Sequence, residues 1–318
     1  MMRRWLVAGL VLVGLGVGLG YGVLALYRAP GPLVHDVDVV LPRGGLAGVT
    51  GVLAARGVVA WPGAFKVFAQ LTAWQGPLRA AELRFPAGAS VQRVLTILRA
   101  GRPVQHMMTI AEGLTSAQVA GLLARADGLE GDVEVPPEGA VLPQTYAYEW
   151  GMTRRSVLAR AELAMDQALR AAWAGRAAGL KLASMRDVVV LASLVERETH
   201  LAAERPLVAR VFLNRLALGM RLQSDPTVTY AQSGGMGVQA GGLTREALER
   251  PTPYNTYSIT GLPAGPICNP GIAAIDAVVH PAESAALYFV ADGTGGHVFS
   301  ESLGEHEKNV KRYRARAR

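Results

Sequence analysis

From Asp187 to Leu218 the chain carries no glycine and a single proline, Pro206. A run that is apolar first and charged later reads as helical, and it is the stretch around which the rest of the chain is organised. Its centre is Leu191-Ala-Ser-Leu-Val-Glu-Arg-Glu-Thr-His200. At about 100° per residue, Leu191, Leu194, Val195 and Ala202 share one stripe, and Glu198 falls inside it, about 20° from Leu191. Glu196 points about 140° away. The pattern therefore expects Glu198 to face the core and Glu196 to be solvated or paired with Arg197 or His200. A carboxylate among apolar side chains is costly when ionised, so burial raises its pKa. A general acid working near neutral pH needs that property. The alternative is a helix that is rotated or ends early, with both glutamates in water.

The 318 residues suffice for a membrane anchor and one or two domains with cores of their own. Trp5 to Leu26 has no charge and is about long enough to span a bilayer. Arg3 and Arg4 precede it, which places the N-terminus inside and everything after residue 28 on the outer face of the cytoplasmic membrane. A cleaved signal peptide is the alternative, but the run exceeds a usual h-region and no small-x-small site follows. Gly14, Gly18 and Gly22 recur every four residues, either as a helix-packing face or as part of a generally Gly-rich run. The net charge of +7 is concentrated in the tail from Lys311 to Arg318, which reads as a frayed, solvated end. A body outside the membrane meets no nucleic acid, so a polyanionic envelope or a lipid surface is the expected partner. Cys268 is the single cysteine, which excludes an intramolecular disulfide and any Cys-rich metal site. The six histidines show no metal-ligand spacing. No cofactor and no metal is expected.

After the linker Ala29-Pro-Gly-Pro32, strand-like Asp36–Leu41 is followed by helices over 44–57 and 65–74. A strand over 81–85 and a helix over 91–100, capped by Ser90, complete a small α+β module. Further on come a strand over 105–110, a helix over 117–126 capped by Thr115 or Ser116, and a long helix over 156–175. Beyond Met220 the chain becomes polar and punctuated by Gly and Pro, in Gln223-Ser-Asp-Pro-Thr227, Tyr254-Asn-Thr-Tyr257 and Gly261–Pro270. A helix over 272–279 precedes a hairpin, with Leu287–Val290 and His297–Phe299 flanking Asp292–Gly296. The polar loops must lie against something, and the Glu198 face of the central helix is the candidate.

These pieces occur together in one family. Glu138-Gly, Leu142-Pro-Gln-Thr-Tyr146, Leu191–Thr199, Val211-Phe-Leu-Asn-Arg-Leu216 and Gly219–Val228 come first. Tyr254–Tyr257, Gly261-Leu-Pro263, His280-Pro281, Leu287–Gly293 and Gly295-Gly-His297 follow. In that order they resemble the endolytic murein transglycosylase, or YceG-like, family from about residue 105 onward. One departure is Gln144, where the family usually has Asp.

The resemblance implies a membrane-anchored enzyme that cuts nascent peptidoglycan glycan strands, with the second glutamate of Glu-x-Glu-Thr, Glu198, catalytic. The implied architecture is α+β, with a cytoplasmic start and transmembrane anchor over 1–28, a LysM-like module over 29–104, and a catalytic domain over 105–318. Gln223, Ser224 and Asp225 are expected to line the cleft, and Asn255 and Tyr257 to meet a sugar or, alternatively, only to fix a turn. His297 either faces the cleft or is a satisfied structural histidine, and Thr199 is expected to bond back to the preceding helical turn. One carboxyl suffices for lytic chemistry, whereas hydrolysis would need a second at a set separation, for which Asp225 is the candidate. The partners expected are peptidoglycan strands, the membrane through residues 5–26, and synthases or division proteins. A non-catalytic glycan-binding scaffold of the cell-wall machinery is the rival reading.

Overall fold

A computed structural model describes residues 2–236 and 242–316, and the side chains of these except 2–9 and 11. The fold is mixed α+β, as expected, with three separate two-stranded sheets. Helix α1 (Met2–Arg28) is continuous. Among the described residues, however, no helix is long and apolar enough to cross a membrane. The anchor expected over 5–26 falls on α1, where residues 5–9 and 11 lie outside the described side chains.

The chain forms two compact units. The first runs to His106 and includes Ala147–Gly151. In it, β1 (Val37–Val40) pairs antiparallel with β2 (Glu82–Phe85), Val37 opposite Phe85. Alternation sends Val39, Leu83 and Phe85 into a core with Leu53 of α2 (Leu46–Ala55), Phe65 of α3 (Pro62–Leu71) and Leu95 of α4 (Val91–Ala100). On the outer face Arg84 grips its cross-strand partner Asp38 through two bonds of 2.7 Å. Ser90 caps α4 by accepting from the Arg93 amide. Pro62 opens α3, three residues earlier than the apolar pattern alone suggests, because proline is suited to a first helical turn.

Strands β3 (Gln105–Thr109) and β4 (Thr145–Glu149) form the second sheet. The second unit contains α5 (Ser116–Arg125), opened by a capping box from Thr115 and Gln118. It is built around α7 (Met185–Glu198), packed on by α6 (Arg154–Gly175), α8 (Arg205–Ala217), α9 (Asp225–Gln232) and α11 (Ile272–Val279). Every residue of α7 from Val188 to Glu196 is buried. The expected single core stripe is thus corrected: with helices packed around it, α7 has no solvent face between Val188 and Glu196. Its buried Ser193 is satisfied by donating to Val190 O (2.7 Å) and accepting from Ile267 N (3.0 Å), which ties the Gly261–Pro270 segment to the helix.

The helix expected to run unbroken from Asp187 stops at Glu198. Thr199 is extended (φ −142°, ψ 135°). Its hydroxyl bonds not to the preceding turn but to Leu201 N, from which it accepts (3.1 Å), and to Glu204 Oε2, to which it donates (3.2 Å). This local turn competes with helix continuation. Glu196 corrects a second expectation. It is neither solvated nor paired with Arg197 or His200. It is buried, with Oε1 2.8 Å from Arg205 Nη2 and Oε2 accepting from Gly271 N at 2.9 Å.

The Glu138-Gly motif also has a structural reason. Glu138 accepts from Ser116 N (2.8 Å) and the Tyr230 hydroxyl (3.0 Å). Gly139 has φ +77°, and a Cβ there would lie 2.6 Å from Val189 Cγ1 of α7. After the short α10 (Arg245–Glu249), the hairpin of β5 (Tyr288–Ala291) and β6 (His297–Ser300) pairs Tyr288 with Ser300 and Ala291 with His297. The tail expected to fray is instead helix α12 (Leu303–Arg316), docked on that hairpin. His306 stacks on Tyr288 at 5.2 Å and Asn309 donates to Ser300 Oγ at 2.9 Å. Residues 317–318 of the tail lie outside the described residues.

Candidate active site

Glu198 is the last residue of α7, where the buried helix meets the surface, and its side chain is half-buried. Ser224 Oγ donates to its Oε1 at 2.5 Å. Burial pushes the Glu198 carboxyl from the ordinary 4.5 up to about 7, and the Asp225 charge adds to the rise. The Ser224 bond and the positive charges of His297 and Arg215 oppose it. The outcome is a carboxyl that shares its time between acid and base near neutral pH.

Ser224 is placed by a strained turn. Gln223 has φ +51°, the only described non-glycine residue in the left-handed region, and its amide donates to Thr256 O at 3.1 Å. Ser224 N then donates to Thr256 Oγ1 at 2.9 Å, and the Thr227 hydroxyl returns to Ser224 O at 2.6 Å. The two polar segments 223–227 and 254–257 are therefore laced together beside Glu198. Replacing Ser224 by Ala removes a donor to the ionised form of Glu198. The Glu198 pKa is expected to move further up, by about one pH unit, in a carbon-13 titration of the side chain. An unmoved titration would show that the hydroxyl does not act on it.

The other expected site residues divide. Asp225 sits exposed at the start of α9 and accepts from the Tyr257 hydroxyl at 2.5 Å. Tyr257 is half-buried, and burial together with Asp225 raises its pKa. Gln223 is exposed on the strained turn. Asn255 is committed to the backbone around it. It is buried, its Nδ2 donates to Leu248 O (2.9 Å) and Arg250 O (2.7 Å), and its Oδ1 accepts from Tyr257 N (2.9 Å). It fixes the turn that presents Tyr257. Gln144 is exposed, and its carbonyl accepts from Ile110 N at 3.0 Å.

Two groups near the end of α7 escaped the sequence reading. Arg215 of α8 is buried and donates to Leu287 O (2.7 Å) and Leu222 O (2.8 Å), with its guanidinium 5.2 Å from the Tyr288 ring centre. Its place in Val211-Phe-Leu-Asn-Arg-Leu216 was the available signal. The second is Glu204, which accepts from His297 Nδ1 at 2.7 Å and from His297 N at 2.8 Å. Burial works against the Glu204 charge, but these bonds hold its carboxyl below the ordinary range. A cavity of about 590 Å³ lined by Lys181, Arg210 and Asn214 contains none of these groups. Chemistry rather than cavity size marks the site.

The description of YceG-like proteins as a family matches residues 39–312. The chain belongs to the YceG-like family. It is 35% identical over 182 residues to the endolytic murein transglycosylase of Bacillus subtilis, covering 57% of this chain and 49% of that protein. It is 34% identical over 176 residues to the endolytic murein transglycosylase of Streptococcus pneumoniae serotype 2, covering 54% of this chain and 31% of that protein. The chain thus spans half or less of the length of these curated relatives. A crystal structure of a YceG-like protein from Listeria monocytogenes shares the fold, with a TM-score of 0.56 at 24% identity, over 86% of this chain and 98% of that one.

Proposed function

We propose that this YceG-like chain is a lytic transglycosylase that cuts nascent peptidoglycan strands between MurNAc and GlcNAc and so ends glycan polymerisation. The observation that carries the reading is the Glu198 carboxyl, pushed up to about 7 and held by Ser224 at the end of a buried helix. Protonated Glu198 gives its proton to the bridging oxygen as the bond to the MurNAc anomeric carbon breaks. The MurNAc C6 hydroxyl closes on that carbon, its proton passes to a base, and a 1,6-anhydro end results with no water consumed. The ionised Glu198 left by the first step can serve as that base. The names of the relatives support this substrate class.

We place the enzyme on the outer face of the cytoplasmic membrane, held by residues 5–26, with synthases or division proteins as neighbours and the module over 29–104 as a LysM-like glycan contact. Support for the anchor is the uncharged run within the 27-residue α1 and the exposure there of Leu10, Leu12, Leu15 and Leu19. The test is digestion of uncrosslinked peptidoglycan by the full chain in detergent, with products weighed by mass spectrometry. Fragments one water lighter than hydrolytic products are expected. Reducing ends carrying that water would instead indicate hydrolysis with Asp225 as the second carboxylate, and no cleavage by folded protein would favour a glycan-binding scaffold.

A further inference from the structure

The mechanism above leaves the histidine that acts on Glu198 without a task. His297 opens β6 directly after the Asp292–Gly296 turn. Its ring is fixed on two sides. Nδ1 lies 2.7 Å from Glu204 Oε2, and the ring stands edge-on to Phe289 at 5.5 Å and 90°. Its backbone amide donates to Glu204 Oε1 at 2.8 Å, so Glu204 holds the residue at both ends. Glu204 is itself tied to the end of the Glu198 helix, because the Thr199 hydroxyl donates to its Oε2.

An ionised carboxylate only accepts, so Nδ1 must carry a proton. In the neutral ring the lone pair is then on Nε2, at the opposite edge. Among the described residues Nε2 has no hydrogen-bond partner. The side chain is 17% exposed, and the ring lies near enough for its protonated form to act on the Glu198 carboxyl. The charged and titratable groups around Glu198 are Asp225 on α9, Arg215 on α8, Tyr257 and His297. Those around His297 are Glu204 ahead of α8 and Asp292 in its own turn, whose carboxylate is taken by Thr294 and Gly296 N. Of these, His297 is the one that presents a ring nitrogen with an open lone pair to a hydroxyl.

We propose that His297, oriented by Glu204, is the base of the reaction: Nε2 takes the proton of the attacking C6 hydroxyl while Glu198 serves the leaving oxygen. The assignment rests on the transglycosylase reading and refines it. The balance closes. The bond from C1 to the bridging oxygen breaks, its electron pair stays on that oxygen, and the oxygen takes the Glu198 proton. The C6 oxygen bonds to C1, and its proton moves to Nε2. Glu198 ends as an anion and His297 as a cation stabilised by Glu204. Return of that proton to Glu198, directly or through solvent, resets the site.

The full chain in detergent is assayed on uncrosslinked peptidoglycan for anhydro-ended product. His297→Ala is expected to lower kcat by about 100-fold or more with KM little changed, and added imidazole to restore part of the rate. Imidazole is expected to do nothing for Glu198→Gln. Glu204→Gln, which leaves the ring in place but removes the charge that fixes its tautomer, is expected to lower kcat about tenfold or more. Should His297→Ala fail to fold, Glu204→Gln decides: full kcat with an unchanged pH profile overturns the assignment. A folded His297→Ala within threefold of the parent, or one that loses rate without responding to imidazole, overturns it too. Reducing ends from the parent enzyme would sink the transglycosylase reading itself. Anhydro ends from the parent with an undiminished His297→Ala rate would sink this assignment alone.

Discussion

Glu198→Gln is expected to lose glycan cleavage, with kcat falling by about 10²–10⁴-fold, while the protein stays folded. The isosteric amide keeps an oxygen that can accept from Ser224 Oγ, so the contact at the end of α7 survives and only the transferable proton is lost. The same variant carries a pH signature that any defect of folding would lack. Glu198 binds its proton more tightly folded (about 7) than at its ordinary value of 4.5. Its raised pKa therefore favours the folded state at low pH, and that advantage fades as pH rises from 4.5 through 7. Above that window the ionised carboxyl costs up to about 3 kcal/mol, a cost the uncharged Gln does not carry. Urea unfolding at pH 5 and pH 8 measures it. The variant is expected to match the parent at the lower pH and to exceed it at the higher. An equal difference at both would mean that burial does not raise the Glu198 pKa.

Much of the scaffold was legible because local signals decided it. Ser90 and Thr115 mark helix starts, the apolar run over 272–279 has no competitor, and Asp292-Gly-Thr-Gly-Gly296 between two β-branched and aromatic runs can only be a tight connection. The site was half legible. The spacing that put Glu198 on the Leu191 stripe singled out the right carboxyl for a partly wrong reason. A stripe presumes one buried face, whereas α7 is enclosed on all sides from Val188 to Glu196. Glu198 owes its raised pKa to its place at the mouth of that enclosure. The stop at Thr199 was invisible to periodicity because it depends on a hydroxyl choosing Glu204 and Leu201 over the helix.

Long-range pairings were hidden for a related reason. Glu204 and His297 are 93 positions apart, and neither breaks a local pattern. Asn255 looked like a ligand because it sits in a polar loop, yet burial and its bonds to two nearby carbonyls spend its amide on the backbone. Burial of that kind is a property of the assembled fold, and one loop's composition does not contain it. Arg215 is the converse case. The sequence assigns it no role within Val211–Leu216, but its carbonyl partners Leu222 and Leu287 come from the chain beyond α8 and draw it beside Glu198.

Glu196→Ala is expected to destabilise the protein by about 3–5 kcal/mol, lowering Tm by roughly 10 °C. A single residue separates Glu196 from Glu198, yet the expected consequences are opposite in kind. Glu196 is 5% exposed and Arg205 8%. Burial pushes the Glu196 carboxyl up, against the Gly271 amide and the Arg205 charge that pull it down. Removing the carboxylate leaves the Gly271 amide without its acceptor and Arg205 with only Glu112, 3.4 Å away and half-exposed. Arg205 Nε already lacks a hydrogen-bond partner, so a second loss falls on a guanidinium that cannot shed its charge. The cost comes mainly from that stranded cation, so the double variant Glu196→Leu with Arg205→Met is expected to recover much of the loss. Thermal unfolding of the two single variants and the double one measures the coupling. A single Glu196→Ala variant as stable as the parent would mean that Arg205 finds water or Glu112 at no cost, and that the pair does not hold α7 to α8. If instead the single variant is destabilised but retains cleavage in proportion to its folded fraction, the two glutamates divide cleanly, Glu196 holding the helix in place and Glu198 carrying the proton.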